Sequence, residues 1–325
     1  MIDECIKQIE KNKLLKKKEA VILAVSGGPD SVFLLELFSI LTEIYKNRVI
    51  VATFDHMLRK ESSDEVKFVE RLAHKYGFEF VTEAKDVKAF YDGDSVEQTA
   101  RRLRYDFFIK LSREFKVKKI VLGHHKDDLM ETVLLRLIRG SGLMGLRAMQ
   151  PLSKFKRIYL VRPLLFFEKQ QIVDYLCRSN IPYVTDESNF EDIYLRNRVR
   201  DKFLPLFIQA NPNIKNAFLN LTLTLAQDYD YINQQTLEAY RNILISHKAM
   251  SLRIDLVKLN SYHQALIFHL IRHCISQTKG DLRKIELRHV QEVMDLIVTR
   301  PCRSVVDLPN CSVTKHQNEL VFVRT

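Results

Sequence analysis

Short apolar runs punctuate the first two thirds of the chain: AVILAV (20–25), VIVATF (49–54), FEFV (78–81), KIVLG (119–123) and IYLV (158–161). Between them, apolar residues recur at helical spacing, as in Val66, Val69, Leu72 and Ala73, or Leu103, Phe107, Phe108 and Leu111. This alternation predicts βαβ units, whose helices cover the faces of a parallel sheet. We therefore expect an α/β domain over residues 1–207, with a parallel five-stranded sheet flanked by helices. The texture changes after Pro205. ANPN (210–213) breaks the chain, and a long helical stretch follows with Leu219, Leu223, Ala226 and Tyr229 on one face. Further helical spacing covers 262–275 and 285–298, and the final SVVDLPNCSVTKHQNELVFVR alternates like a hairpin or a three-stranded ribbon. Residues 208–325 thus read as a smaller, mostly helical domain ending in a short β-hairpin.

Composition fits this division. A chain of 325 residues, 46% hydrophobic, with 9 Gly and 8 Pro, is long enough for two ordered globular domains. The acid-containing N-terminal stretch lacks the apolar core of a secretory signal, and no apolar run approaches the roughly 20 residues of a membrane span. The expected location is the cytoplasm, with no membrane partner. Five cysteines, odd in number and without a CxxC pair, argue against a disulfide framework, a zinc ribbon or an iron–sulfur site. The net charge of +11 is spread as 37 basic and 30 acidic residues over 1–205, and 14 and 10 over 206–325. An RNA-binding face and a lysine-rich solvated surface account for that excess equally well.

SGGPDS, Ser26 to Ser31, lies between the first apolar run and the next helical segment. Turns at the carboxyl ends of parallel strands are where open α/β sheets bind ligands. Gly27 and Gly28 permit positive φ and close backbone approach, and Pro29 suits the first position of a helix. The free amides of that first turn attract an anion, and Ser26 and Ser31 supply hydroxyls. The loop is not a Walker A sequence, because Asp30 stands where a lysine would be needed. A carboxylate beside phosphate calls for a bridging cation, so Asp30 is a candidate Mg²⁺ ligand.

GHHKDDLMET, Gly123 to Thr132, follows the fourth run. His124 and Asp128 are four residues apart, which on a helix puts them on one face, with Glu131 a turn further on. Such an array can bind a metal or move a proton. Gly140 to Gly145 matches GxGxxG by letter, but it follows a helical run and lacks the acid expected about 20 residues later. That excludes a dinucleotide site and leaves a loop able to admit a bulky substrate. Arginine-rich segments occur at 100–108, 158–165 and 194–207. In the last, Arg196 and Arg200 share a face while Leu195, Val199 and Phe203 point inward.

SGGPDS resembles the PP-loop of the N-type ATP pyrophosphatases, a Rossmann-like family that cleaves ATP between its α and β phosphates. In order, SGGPDS, FDHMLR (Asp55 to Arg59), ARRLRY, GHHKDDLMET, RGSGLMGL, RPLL, DESN (Asp186 to Asn189) and LRNRVR resemble the tRNA(Ile)-lysidine synthase family over about residues 20–206. LRHVQEVMDLI and the DLPN hairpin extend the likeness into the second domain. The resemblance implies that ATP adenylates the wobble cytidine of tRNA(Ile) with a CAU anticodon, and that free L-lysine then displaces AMP. It implies ATP bound by Ser26, Gly27, Gly28, Pro29, Asp30 and Ser31, with Mg²⁺ on Asp30. Arg104 and Arg196 would stabilise phosphoryl charge, and His124 and Asp128 would bind and activate lysine. The helical second domain would bind tRNA, and a homodimer is left open. The principal alternative is another PP-loop tRNA-modifying enzyme, such as a tRNA thiolase. An amidotransferase would bring a glutaminase partner, and a purely tRNA-binding module would leave Asp30, His124 and Asp128 at strand-to-helix junctions without a purpose.

Overall fold

The computed structural model describes residues 1–58, 62–91, 93, 95–184 and 194–325. Arg59 and Asp186 to Asn189, quoted above among the motifs, lie outside the described residues. The chain divides into two compact units, Met1–Ala226 and Gln227–Thr325.

The first unit is built on strands β1 (Val21–Ala24), β2 (Val49–Asp55), β3 (Glu79–Ala84), β4 (Lys119–Val121), β5 (Leu152–Phe155) and β6 (Ile158–Val161). They form one sheet in the order β3-β2-β1-β4-β6-β5, parallel throughout except where β5 pairs antiparallel with β6. The α/β class and all five anticipated strands are present. The sixth strand, β5, is an edge addition whose LSKF sequence buries nothing fully, so it carries no apolar run to announce it.

Its helices are α1 (Ile2–Lys11), α2 (Pro29–Tyr45), α3 (Ser62–Lys75), α4 (Val96–Glu114), α5 (Lys126–Ile138), α6 (Leu143–Leu146), α7 (Lys169–Arg178), α8 (Tyr194–Arg198) and α9 (Leu204–Ala210), and α10 (Ile214–Ile243) begins in this unit and ends in the second. Because strand side chains alternate, Val21, Leu23, Val49 and Val51 join one apolar layer with α1, α2, α3 and α7. Ile22, Ile50 and Ala52 join the opposite layer, filled by Tyr105, Phe107, Phe108 and Leu111 of α4. Each fully buried side chain of this size contributes about 1.5–3 kcal/mol, so the sheet is held from both faces. A third apolar cluster joins Leu129, Met130 and Val133 of α5 to Val199, Leu204, Phe218 and Leu219.

The strand order reverses between β1 and β4. Connections from β1 run outward on one side and those from β4 on the other, which opens a crevice at their carboxyl ends. SGGPDS follows β1 and GHHKDDLMET follows β4, so both motifs border that crevice.

The second unit contains the antiparallel sheet β7-β8-β11-β10-β9, made of β7 (Leu244–Lys248), β8 (Ser251–Asp255), β9 (Val305–Leu308), β10 (Cys311–Lys315) and β11 (Glu319–Val323). Helices α11 (Leu256–Leu259), α12 (Gln264–Lys279) and α13 (Leu287–Val298) accompany it. Leu252, Ile254, Val306, Val313, Leu320 and Phe322 form its buried face against Leu270, Cys274, Val293 and Leu296. The anticipated ribbon is β9–β10–β11. The β7–β8 hairpin extends it to five strands, so the helix-rich unit carries a larger sheet than the terminal hairpin anticipated.

Candidate active site

The turn after β1 takes its shape from Gly27, whose φ of +88° lies in the left-handed region. Gly28 caps α2, and Pro29 opens the helix without an amide to leave unpaired. The Ser31 hydroxyl closes the turn, donating to the Gly28 carbonyl at 2.8 Å and accepting from the Ser26 amide at 3.2 Å. Among the described residues the Gly27 and Gly28 amides have no acceptor. Those amides and the start of a 17-residue helix form a positive concavity suited to phosphate.

The loop after β4 packs directly on this turn. A Cβ on Gly123 would stand 3.1 Å from the Asp30 carbonyl carbon and 3.2 Å from its oxygen, so glycine lets the two loops meet without crowding the Asp30 backbone. His125 then caps α5. Its Nδ1 accepts from the Asp128 amide at 3.3 Å, while its own amide donates to Asp128 Oδ2 at 3.0 Å. With Nδ1 accepting, the neutral ring carries its proton on Nε2. That atom lies 3.4 Å from Asp128 Oδ2 and 3.6 Å from Asp30 Oδ2. Burial is the main reason the Asp30 carboxyl lies above its ordinary range; His125 opposes the rise and Asp128 adds to it.

These groups line a cleft of about 350 Å³ with Asp127, Glu131, Lys169 and Arg200. Burial alone would raise the Asp127 pKa, but hydrogen bonds from Lys215 and from the Lys169 amide outweigh it and hold the group ionised. Asp30 Oδ1 is buried with no partner. A divalent cation held by one or two carboxylates and by phosphate oxygens fits that donor set. Among the described residues no group of three or more His, Cys, Asp or Glu forms a complete metal cage.

Glu131, buried on α5, accepts from Arg196 Nε at 3.0 Å and bidentately from Arg200, at 2.7 Å from Nε and 3.2 Å from Nη2. Arg196 also reaches Glu97 of α4 at 3.3 Å. The helical turn at Val199–Phe203 is wound as a π-helix, and Arg196 and Arg200 share the face anticipated from the sequence.

His124 does not share a face with Asp128, contrary to the helical-spacing argument. The helix starts at Lys126, so His124 precedes its cap, and His125 takes the place expected of it. His124 is partly buried, with its Nδ1 shielded from solvent and unpartnered. Burial first, then Arg162, Arg104 and Arg101, drive its pKa well below 6.5. Arg104 is itself desolvated and loses further basicity to Arg101 and Arg196. His56, at the end of β2, is pushed down to about 4 by burial and by Arg104. The structure therefore gathers Ser26 to Ser31 and Asp128 on one side of the β1–β4 crevice and His124 and Arg104 on the other, with Arg196 held through Glu131. Gly123 and His125 were not singled out from the sequence, although both stand inside a motif that was.

The PP-loop domain family matches residues 2–207. A tRNA(Ile)-lysidine synthase from Geobacter sulfurreducens is 32% identical over 331 residues, covering 99% of this chain and 70% of that protein. The chain belongs to the tRNA(Ile)-lysidine synthase family of PP-loop proteins. A bifunctional protein TilS/HprT from Listeria monocytogenes is 33% identical over 309 residues, covering 94% of this chain and 47% of that protein. The chain spans about half the length of the first such relatives of this lysidine synthase family member. In fold alone it is similar to a U34-tRNA thiolase, NcsA, from Methanococcus maripaludis with its 4Fe-4S cluster. That match has a TM-score of 0.59 at 20% identity, covering 70% of this chain and 78% of that one. No helix among the described residues is long and apolar enough to cross a membrane.

Proposed function

We propose that this protein joins free L-lysine to C2 of the wobble cytidine of tRNA(Ile) with a CAU anticodon, consuming ATP and releasing PPi and AMP. The product, lysidine, changes decoding from AUG to AUA. One observation carries the reading: Asp30 belongs both to the phosphate-binding turn and to a cleft rich in carboxylates, so nucleotide cleavage and an ammonium-bearing substrate share one crevice.

In the first step the cytidine O2 attacks the α-phosphorus and pyrophosphate leaves. The turn Ser26 to Ser31 holds the departing phosphates through backbone amides and the Ser26 hydroxyl. Mg²⁺ bound to Asp30 would supply charge neutralisation between the carboxylate and the phosphates. Arg104 and Arg196 face the negative charge developing at the α-phosphate. His124 enters as a neutral imidazole, because its surroundings oppose protonation.

In the second step the ε-amine attacks C2 and AMP departs with the former O2. Lysine has an ordinary pKa of about 10.4, so its ε-ammonium must give up a proton to become a nucleophile. Asp128 binds the ammonium and accepts its proton, with His125 Nε2 at 3.4 Å from its carboxylate. The C-terminal domain, residues 208–325, positions tRNA through its phosphates, and the cytidine is extruded to expose C2. The reaction belongs to the cytoplasm, where free lysine and tRNA meet, and a homodimer is compatible with it.

Mass spectrometry of the anticodon nucleosides after incubation with ATP, lysine and unmodified tRNA tests the reaction; absence of a lysyl adduct refutes it. Asp128→Asn tests the division of labour. With preformed adenylated tRNA in a single turnover, lysine transfer should fall about 10²–10⁴-fold. Transfer at the wild-type rate would remove Asp128 from the proton-accepting role.

A further inference from the structure

Four arginines lie near one another beside His124, three of them acting on it directly and Arg136 neighbouring Arg101 and Arg162. Arg101 and Arg104 lie one turn apart on α4, Arg136 is on α5, and Arg162 directly follows β6. Their hydrogen-bond partners are neutral. Arg101 Nη2 donates to the Tyr105 hydroxyl at 3.3 Å, and its guanidinium lies 4.8 Å above that ring. Arg136 Nη1 donates to the Gly145 carbonyl. Arg162 Nη1 donates to the Gln150 carbonyl at 2.8 Å and to Ser153 Oγ at 2.9 Å, while its Nε is buried with no partner. Among the described residues none of the four has a carboxylate in ion-pair contact, in contrast to Arg196 and Arg200 beside them in the same unit.

Gathering like charges around buried groups is unfavourable unless an anion completes the arrangement. We propose that Arg101, Arg136 and Arg162, continuous with Arg104, form a second phosphate site, separate from the turn after β1, that takes phosphodiester groups of an RNA strand. This rests on the tRNA reading given above and deepens it.

Two features favour a strand over a free phosphate or the nucleotide. The cluster grades from Arg162, 6% exposed, to the solvent-exposed Arg101, and so extends outward rather than closing into a bowl. Its rim carries apolar side chains open to solvent, Leu137 (48%), Ile138 (51%) and Met144 (50%), next to Arg136 and the Gly145 carbonyl that it holds. Cations beside apolar surface suit a polymer that presents alternating phosphates and bases. The nucleotide's own phosphates already have the Gly27–Ser31 turn.

The test uses Arg101→Ala and Arg136→Ala, because burial of Arg162 would confuse binding with folding. Affinity for unmodified tRNA without ATP is measured between 50 and 200 mM salt, and nucleotide affinity in parallel. Each variant should weaken tRNA binding about 5- to 10-fold and flatten the log–log salt dependence by about one ion. Nucleotide affinity should stay within about two-fold of wild type, and Arg101→Lys and Arg136→Lys should recover most of the loss, since charge is what a phosphate needs. Unchanged tRNA affinity and salt slope in both alanine variants overturns the proposal. So does a parallel fall in nucleotide affinity, which would assign the cluster to ATP. Wild-type protein that binds no tRNA at any salt concentration refutes the proposed function and this site together, whereas tRNA-binding wild type with unaffected variants refutes this site alone.

Discussion

His124 and His125 are chain neighbours that face opposite electrostatic environments. His125 looks into the cleft of Asp30, Asp127 and Asp128, where its ring caps a helix and sets Nε2 3.4–3.6 Å from carboxylate oxygens. His124 looks toward Arg104, Arg162 and Arg101, where burial and positive charge keep it neutral. The backbone turn at the end of β4 thus separates a carboxylate region, suited to an ammonium group and a metal, from a guanidinium region, suited to phosphate. Two chemistries at one sheet edge need this separation, because mixing the two sets would neutralise both in ion pairs. Glu131 marks the border, since it is the carboxylate that engages Arg196 and Arg200.

The largest effect should come from Asp30→Ala, which removes the group common to the cradle and the cleft. We expect ATP-dependent turnover to fall about 10³-fold or more, as for loss of a principal electrostatic or acid–base group. Measurement of pyrophosphate release checks it, and turnover near wild type would detach the turn from the chemistry. Arg104→Ala tests the other side. Adenylation of tRNA should slow about 10²-fold, while transfer from preformed adenylated tRNA keeps its dependence on lysine concentration. If lysine dependence shifts instead, the two regions do not divide the reaction as described.

A smaller but structural effect is expected at their junction. Gly123→Ala forces a methyl group against the Asp30 backbone, an overpacking that costs about 1–3 kcal/mol by denaturant titration. Activity should fall by more than stability alone explains, because Asp30 is displaced. Glu131→Gln should cost about 1–3 kcal/mol by weakening the charged hydrogen bonds to Arg196 and Arg200, and an unchanged unfolding midpoint would show that the border is held by packing instead.

The mildest perturbation is pH. His56, held to about 4, and His124, held well below 6.5, resist protonation in the folded protein. Between an unfolded value near 6.5 and the folded values, the unfolded chain binds protons that the folded chain refuses. Their contribution is therefore complete above about pH 6.5 and is lost as pH falls, by at most about 1.4 kcal/mol per pH unit for each histidine. Melting temperature recorded from pH 7 to pH 5 should decline, and His56→Gln should make that decline shallower. A melting temperature that rises on acidification would contradict the neutral state of both rings.

The shape of the turn after β1 was legible before folding because its determinants are local: glycine at a positive φ, proline at the first helical position and a serine closing the loop act within six residues of one another. Four of the five parallel strands, β1, β2, β4 and β6, were legible because burial on both faces leaves continuous apolar runs, whereas β3 at the sheet edge showed only through its short FEFV run. The strands β5, β7 and β8 were not, since short strands with polar residues on one side have no such signature. The expectation that His124 shares a helical face with Asp128 failed on helix phase. One residue of error in a helix start rotates a side chain by about 100°, and histidine is not among the usual capping residues that mark a start.

By itself, then, the sequence determined the elements and the chemistry each could carry, because propensity, capping and apolar period are short-range. Which groups meet was decided only by the tertiary structure. The β1–β4 adjacency brings Gly123 against Asp30 across 93 positions of chain, and the packing of α5 brings Glu131 to Arg196 across 65. Contacts over such separations depend on strand order and on the direction in which each loop leaves the sheet, and neither is written in the local spacing of residues.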